Sequence, residues 1–193
     1  MQVDAHVHGR PRVGEACSGD AGAVRTIDGV TWVLLVDGLG HGPEAAKVAT
    51  RAVEEHCSFT AELSLDAAFR RLHARLQGTR GCAAALLRFA ERTLGFGGIG
   101  NISLRTLEGP SVPYVATNGI LGGTRNVRPP QLRSDELVVS GSGCLLLFTD
   151  GIVRTMPLRE FASLDGEALC RTLVADHSLA RDDATVVHVR YQL

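Results

Sequence analysis

Acidic residues stand at the ends of several apolar, strand-like runs of this sequence. If such a run crosses a sheet, its last residue lies at the rim. Carboxylates from several strand ends can then converge on one point, where they repel one another unless a cation binds between them. Mg²⁺ and Mn²⁺ prefer oxygen ligands, so such a cluster predicts a divalent-cation site. The runs and their acids are 32–36 with Asp37, 145–149 with Asp150, and 184–187 preceded by Asp182 and Asp183.

The first of these acids begins a glycine-rich segment. An Asp-Gly pair after an apolar run is more often a simple turn, because both residues tolerate left-handed backbone angles. Here the glycines of segment 38–42 are followed by Pro43 and an alanine-rich stretch. Proline at the first helical position predicts a helix rather than a second strand. The segment is therefore predicted to form a strand-to-helix elbow directly after Asp37.

Hydrophobic periodicity predicts a mixture of strands and helices. Apolar runs bounded by turn-forming residues favour strands, whereas apolar residues three and four positions apart favour helices. Ser64 is placed to cap the second helix. The predicted strands are 31–36, 82–89, 94–98, 101–107, 144–149 and 184–191, and the predicted helices are 43–57, one after Ser64, and about 165–176. Periodicity by itself gives the fold class α+β.

Composition limits the kind of protein that this chain can be. A length of 193 residues with 45% hydrophobic residues is enough for one globular domain over residues 1–193. The net charge is −1 and aromatic residues make up only 5%, which argues against a nucleic-acid-binding surface. The apolar runs are far shorter than the ~20 residues of a membrane span, and the N-terminus has no signal-peptide pattern. We expect a cytoplasmic monomer with no nucleic-acid or membrane partner.

Five short motifs occur in an order that resembles a known family. They are Ser-Gly-Asp at 18–20, Asp-Gly-Leu-Gly-His-Gly at 37–42, Gly-Ile-Gly-Asn-Ile at 98–102, Phe-Thr-Asp-Gly-Ile at 148–152, and Arg-Asp-Asp-Ala-Thr at 181–185. Their order and their span of nearly the whole chain resemble the metal-dependent 2C-type protein serine/threonine phosphatases, in the SpoIIE-like branch. Within that branch, the chain resembles the small RsbX-type stressosome phosphatases at two further places, the segment 118–122 and the Arg80-Gly81 pair.

The resemblance implies a fold, a reaction and a set of metal ligands. The fold would be a four-layered α/β/β/α sandwich of two antiparallel sheets, and two divalent cations, Mn²⁺ or Mg²⁺, would activate a water molecule for phosphoester hydrolysis. By this resemblance, Asp37 would bridge the two metals, the Gly38 carbonyl would bind one of them, and Asp150 and Asp182 would bind the other. Asp20 would hold a metal-bound water molecule. Asp183 would either lie outside the ligand set or bind a third metal. Asp37, Asp150 and Asp182 are thus the expected catalytic residues.

The resemblance also implies the partners. The expected substrates are phosphoserine and phosphothreonine on STAS-domain stressosome proteins, which the enzyme would reset after stress. Two alternatives stay open at this point. The substrates can instead be anti-sigma-factor antagonists, or the chain can be a phosphatase-fold module that binds a phosphoprotein without turnover. Because every expected acidic ligand is present, the sequence favours an enzyme.

Several further roles are left open by the sequence. Arg10 and Arg12 are both candidates to contact the phosphate, and their spacing does not decide between them. His41 either donates a proton to the leaving oxygen or only shapes the elbow. The Pro- and Gly-rich stretch 107–136 is predicted to be loop-rich around short strands, and its part 111–133 is too polar and broken to belong to the core. Arg125, Arg128 and Arg133 within it either meet an acidic surface of the substrate or belong to a solvated connection.

Overall fold

A computed structural model of the protein describes residues 1–124, 128–161 and 164–193. The described residues form nine β-strands, three α-helices and a short 3₁₀ helix. In chain order these are β1 (Gln2–Arg10), β2 (Asp20–Ile27), β3 (Val30–Gly38), α1 (Gly42–His56), α2 (Leu65–Arg75), β4 (Cys82–Ala90), β5 (Thr93–Ile99), β6 (Ser103–Glu108), β7 (Ser134–Val138), β8 (Ser142–Phe148), the 3₁₀ helix (Leu158–Phe161), α3 (Gly166–His177) and β9 (Ala184–Gln192).

The strands form two antiparallel sheets that pack face to face. One sheet has five strands in the order β2-β3-β4-β5-β7, and the other has four in the order β1-β9-β8-β6. Helices α1 and α2 cover the outer face of the five-stranded sheet, whereas α3 covers the outer face of the four-stranded sheet. The predicted α+β class and the four-layered α/β/β/α sandwich are confirmed.

Three apolar layers hold the sandwich together, and β3 contributes to two of them. Residues Trp32 and Leu34 pack under the helices, and Val33 and Leu35 pack between the sheets. A strand that is buried on both faces needs a continuous apolar run rather than an alternating one, which is why 32–36 is uninterrupted. The strand's position is therefore fixed from both sides, and so is the position of the acid at its end.

The helix starts agree with their local sequence signals. In α1, a proline stands in the first turn after Gly42, as the elbow prediction requires. In α2, the Ser64 side chain accepts a hydrogen bond from the Ala67 backbone N–H, so the predicted cap is confirmed. Strands β1, β2 and β7 are not among the predicted strands given above; β2 is rich in small residues, and β7 is short, polar and exposed at a sheet edge. In the described part of the chain, no helix is long and apolar enough to cross a membrane.

Candidate metal-dependent active site

Two neighbouring strands place Asp20 and Asp37 side by side. Asp20 is the first residue of β2, Asp37 is the penultimate residue of β3, and the antiparallel register pairs them directly. Asp20 is buried and Asp37 is partly buried. Residues directly opposite each other in such a pair have Cβ atoms about 5 Å apart, so the two carboxyl groups compete for one small space.

The four-stranded sheet contributes the remaining acids at the same place. Asp150 comes shortly after β8, and the acidic pair 182–183 directly precedes β9. Thr149 links the two sheets, because its Oγ1 donates a 2.6 Å hydrogen bond to Asp20 Oδ2. Asp150 lies close enough to Asp37 for its negative charge to raise the pKa of Asp37. The fold therefore brings together acids that lie far apart in the sequence.

The pKa values of these carboxyl groups record their crowding. Burial raises the pKa of Asp37 to about 8, and the negative charges of the nearby carboxylates act in the same direction. Burial also raises the pKa of Asp20 to about 7, although the hydrogen bond from Thr149 opposes the shift. The pKa of Asp182 is raised as well, first by burial and then by the charge of Asp150. Each of these acids is thus costly to ionise without a positive charge nearby.

The donor set fits hard divalent cations. Within the described residues, Asp20, Asp37, Asp150 and Asp182 form no ion pair with a lysine, arginine or histidine side chain. The described part of the chain contains no group of three or more His, Cys, Asp or Glu side chains that lie close enough together to hold a metal ion as they stand. The carboxylates therefore lie close enough to raise one another's pKa values, but they do not surround a single point. Gathered oxygen donors without a protein counter-charge suit Mg²⁺ or Mn²⁺.

The elbow after Asp37 depends on a close backbone approach. A Cβ on Gly38 would lie 2.8 Å from the Ala45 carbonyl oxygen and 3.0 Å from the Gly19 carbonyl oxygen. The Gly38 backbone N–H also donates to the Gly19 carbonyl oxygen at 3.0 Å. Only glycine leaves room for α1 to pack this closely against the strand end. Glycine at position 38 therefore allows the chain directly after Asp37 to pass this close to both α1 and Gly19.

Asp183 has a different environment from Asp182. It is buried, its Oδ1 accepts a 2.7 Å hydrogen bond from the Arg12 backbone N–H, and its Oδ2 accepts a 2.8 Å bond from the Gly19 backbone N–H. Asp182 lies at the partly exposed rim. The carboxylate of Asp183 therefore holds the 12–19 loop against the start of β9, and this arrangement favours the outer role over direct metal binding.

Asn101 is a site residue to which no role was given from the sequence. Its Nδ2 donates a 2.7 Å hydrogen bond to Asp150 Oδ2. Arg154 in turn donates from Nη2 to the Asn101 backbone carbonyl at 3.2 Å. The available signal was the motif at 98–102, but only the tertiary structure brings it next to Asp150. Asn101 orients one of the expected metal ligands.

The structure separates the two arginine candidates. The Arg10 guanidinium donates to Ser178 Oγ and to the Leu179 carbonyl oxygen, both at 2.8 Å, so it holds the segment before the acidic pair. Burial and the charge of Asp150 raise the pKa of Asp182, and the charge of Arg12 opposes that shift. Because the Arg10 guanidinium is already hydrogen-bonded to protein groups, Arg12 remains the candidate for a phosphate.

His41 forms a contact with the loop before β2. Its Nδ1 lies 2.5 Å from Glu15 Oε1, and the side chain is exposed. This contact ties the 12–19 loop to the elbow and favours the structural role for His41.

In the segment 111–133, Arg125 lies outside the described residues. The Arg133 backbone N–H donates to Thr117 Oγ1 at 3.0 Å, which orders the end of that segment.

Comparison with known proteins identifies the family. The model of the family "Stage II sporulation protein E (SpoIIE)" matches residues 27–192. The chain belongs to the SpoIIE family. Members of this family are PP2C-type serine/threonine phosphatases, and the chain is accordingly a protein serine/threonine phosphatase. The comparison with curated protein sequences gave no match.

Solved structures of related fold support membership of the SpoIIE family. A protein from work on the bacterial stressosome as a modular system adapted to control secondary messenger signaling is 31% identical, with a TM-score of 0.86 and coverage of 98% of this chain and 100% of that chain. RsbX in complex with magnesium is 17% identical, with a TM-score of 0.81 and coverage of 97% and 94%. The PP2C domain of SpoIIE from Bacillus subtilis, solved with a regulatory fragment, is 17% identical, with a TM-score of 0.76 and coverage of 99% and 64%. The last two likenesses show the shared fold.

Proposed function

We propose that this phosphatase hydrolyses phosphoserine and phosphothreonine in proteins with the help of two divalent cations, Mn²⁺ or Mg²⁺. The ligands would be the carboxylates of Asp37, Asp150 and Asp182 and the carbonyl of Gly38. When bound, such cations lower the pKa of a water molecule and offset the charge of the phosphate. The observation that carries this proposal is the direct pairing of Asp20 with Asp37, whose pKa values are raised to about 7 and about 8.

The protein's own residues would divide the remaining work. Asp20, whose carboxylate is fixed by Thr149 Oγ1, is placed to hold and orient a water molecule beside Asp37. Asn101 keeps the Asp150 carboxylate in one orientation. Arg12, at the rim beside Asp182, is proposed to bind a phosphate oxygen, because a guanidinium provides two parallel N–H donors. Asp183 would position the loop that carries Arg12 rather than bind a metal, since both its oxygens accept backbone N–H groups.

We further propose that the substrates are phosphorylated STAS-domain proteins of a stressosome. The support is the 31% identity over 98% of the chain to a protein from work on the bacterial stressosome, together with the shared fold of RsbX. Dephosphorylation of anti-sigma-factor antagonists is the alternative substrate class. We also propose that residues 1–193 act as one phosphatase domain and as a monomer, which light scattering on the purified protein tests.

The deciding experiment compares two substrates with and without metal. The purified chain is assayed with a generic aryl phosphate and with a phosphorylated STAS-domain protein, in Mn²⁺, in Mg²⁺ and in excess chelator. We expect turnover of both substrates with either cation and none in chelator. The Asp37→Asn variant should lose several orders of magnitude in kcat while it keeps its circular dichroism spectrum. Binding of the phosphoprotein without turnover of either substrate would identify a non-catalytic module instead.

A further inference from the structure

A small pocket lined by arginines lies beside the acidic centre. It has a volume of about 290 Å³, and its walls include Asn101, Ser103, Arg105, Tyr114 and Arg154. We name it the arginine pocket. Its floor is the start of β6, the edge strand of the four-stranded sheet. Its size suits one side chain of a bound protein rather than a larger molecule.

The arginine pocket is connected to the centre through Asn101. The Asn101 amide contacts Asp150 Oδ2 at 2.7 Å on one side, and its backbone carbonyl accepts from Arg154 at 3.2 Å on the other. The pocket therefore begins one side chain away from a proposed metal ligand. A protein segment with its phosphate at the centre would place a neighbouring side chain within reach of the pocket.

The lining carries positive charge without compensation. Arg105 and Arg154 contribute two guanidinium groups, and no carboxylate lines the pocket. In the described part of the chain, neither arginine forms an ion pair with an acidic side chain. By comparison, Arg190 on the same sheet is paired with Glu108 at 3.2 Å. The two pocket arginines are thus available to a negatively charged ligand.

The wall opposite the arginines is fixed. Tyr114 donates from its hydroxyl to the Ile102 carbonyl oxygen at 3.2 Å. It also fills the space over Gly98, where a Cβ would meet the Tyr114 hydroxyl. The tyrosine therefore provides a rigid surface beside the two guanidinium groups. Rigid walls and two guanidinium groups without a carboxylate partner suit an acidic side chain, which a guanidinium can bind through two parallel hydrogen bonds.

We propose that the arginine pocket binds the carboxylate of an aspartate or glutamate close in sequence to the phosphorylated residue of the protein substrate. This inference rests on the proposed phosphatase function and adds a sequence preference to it. The pocket lies on one side of the centre only, so the acidic residue should be favoured on one side of the phosphoserine and not on the other. The centre itself gives no such one-sided preference, because it binds the phosphate, which every peptide in the comparison carries.

The test uses pairs of synthetic phosphoserine peptides. The two peptides of a pair carry glutamate or glutamine at one position and are otherwise identical, and this position is moved stepwise along both sides of the phosphoserine. The wild-type enzyme should prefer glutamate over glutamine at one or two positions on one side by about fivefold in kcat/KM, as expected for a partly exposed charge pair. Arg105→Gln and Arg154→Gln should each reduce this ratio towards one. The ratio within one variant is independent of any general loss of activity.

The matched control is Arg92→Gln. Arg92 is exposed in the turn between β4 and β5, at the end of the five-stranded sheet away from Asp37. This variant should keep the full preference for glutamate. The preference of the wild type should also shrink at high ionic strength, because salt screens exposed charges.

The possible failures can be told apart. If the wild type hydrolyses all peptides without preference, or if the preference survives in both pocket variants, the inference is wrong although the phosphatase function stands. If the pocket variants lose activity equally on glutamate peptides, glutamine peptides and an aryl phosphate, the arginines act on the scissile phosphate and the inference is likewise wrong. If no substrate is hydrolysed with Mn²⁺ or Mg²⁺, the proposed function fails first.

Discussion

Replacement of Asp37 by asparagine should stabilise the metal-free protein while it removes activity. Asp37 faces Asp20 across the β2–β3 pair, and burial with the neighbouring negative charges raises its pKa from 3.8 to about 8. One pKa unit corresponds to about 1.4 kcal/mol, so the shift sets an upper bound of about 6 kcal/mol at high pH. Since Asp37 is only partly buried and water screens part of the repulsion, we expect a gain of about 2 kcal/mol.

The sign follows from the direction of the pKa shift. A carboxyl group whose pKa is raised by folding destabilises the folded state when it is ionised. The penalty is absent below about pH 4, grows as the pH rises, and is complete above about pH 8. The difference in free energy of unfolding between Asp37→Asn and the wild type should therefore be small at pH 5 and largest near pH 8.

The assay is thermal unfolding followed by circular dichroism in excess chelator at both pH values. For a chain of this size, about 2 kcal/mol corresponds to a rise in Tm of about 6 °C. Asp28→Asn is the control, because Asp28 is exposed in the β2–β3 turn at the other end of the strand pair and loses the same charge. In Mg²⁺ the order should reverse, since the cation binds the folded wild type more tightly than the variant. A metal-free Asp37→Asn protein less stable than the wild type at pH 8 would refute the argument from charge crowding.

Three other predictions concern single side chains. Asp182→Ala should abolish turnover with little change in Tm. Asp183→Ala should lower the free energy of unfolding by about 3 kcal/mol, because the buried Gly19 N–H and the partly buried Arg12 N–H lose a charged acceptor; equal Tm values in the two variants would contradict this. Thr149→Val should cost about 2 kcal/mol in chemical unfolding, since the hydroxyl bonds Asp20 and accepts from Thr185 N–H, and Thr149→Ser should retain most of it. Burial lowers the pKa of His56 to about 4, so protonation of His56 should cost the folded wild type at most about 3 kcal/mol between pH 6.5 and pH 4. The free energy of unfolding of His56→Leu should rise relative to that of the wild type by up to this amount over the same range, because the contributions of Asp20 and Asp37 are common to both proteins.

Much of the fold was predictable where one local rule dominated. The buried strand β3 could be predicted from its continuous apolar run, and α2 from its serine cap and helical spacing. Strands β2 and β7 carried no such signal. β2 owes its place to pairing with β3, and β7 is a polar edge strand that pairs only with β5. Pairing energy of this kind comes from the neighbouring strand, which for β2 follows directly across the turn at 28–29 and for β7 lies far back in the sequence, and not from the apolar pattern of the strand itself.

The site shows the same division between local and distant information. The elbow after Asp37 and the candidate ligands were visible in the motifs, because each motif lies within a few residues of a strand end. The sequence did not reveal the contact between Asn101 and Asp150. It also did not reveal the two hydrogen bonds that the Asp183 carboxylate accepts from the backbone of the 12–19 loop. Those contacts join residues from different layers of the sandwich.

The sequence by itself determined which residues can bind a cation, because aspartate at the end of a strand is a property of the local chain. It also determined the elbow, since only glycine and a following proline allow the strand to turn directly into a helix. The tertiary structure decided that the two aspartates before β9 differ in burial and in hydrogen bonding, and that the Arg10 guanidinium is already bound by Ser178 and Leu179. The physical reason is that ionisation, burial and hydrogen bonding depend on the distance between atoms in space, and adjacent residues such as Asp182 and Asp183 can differ in all three.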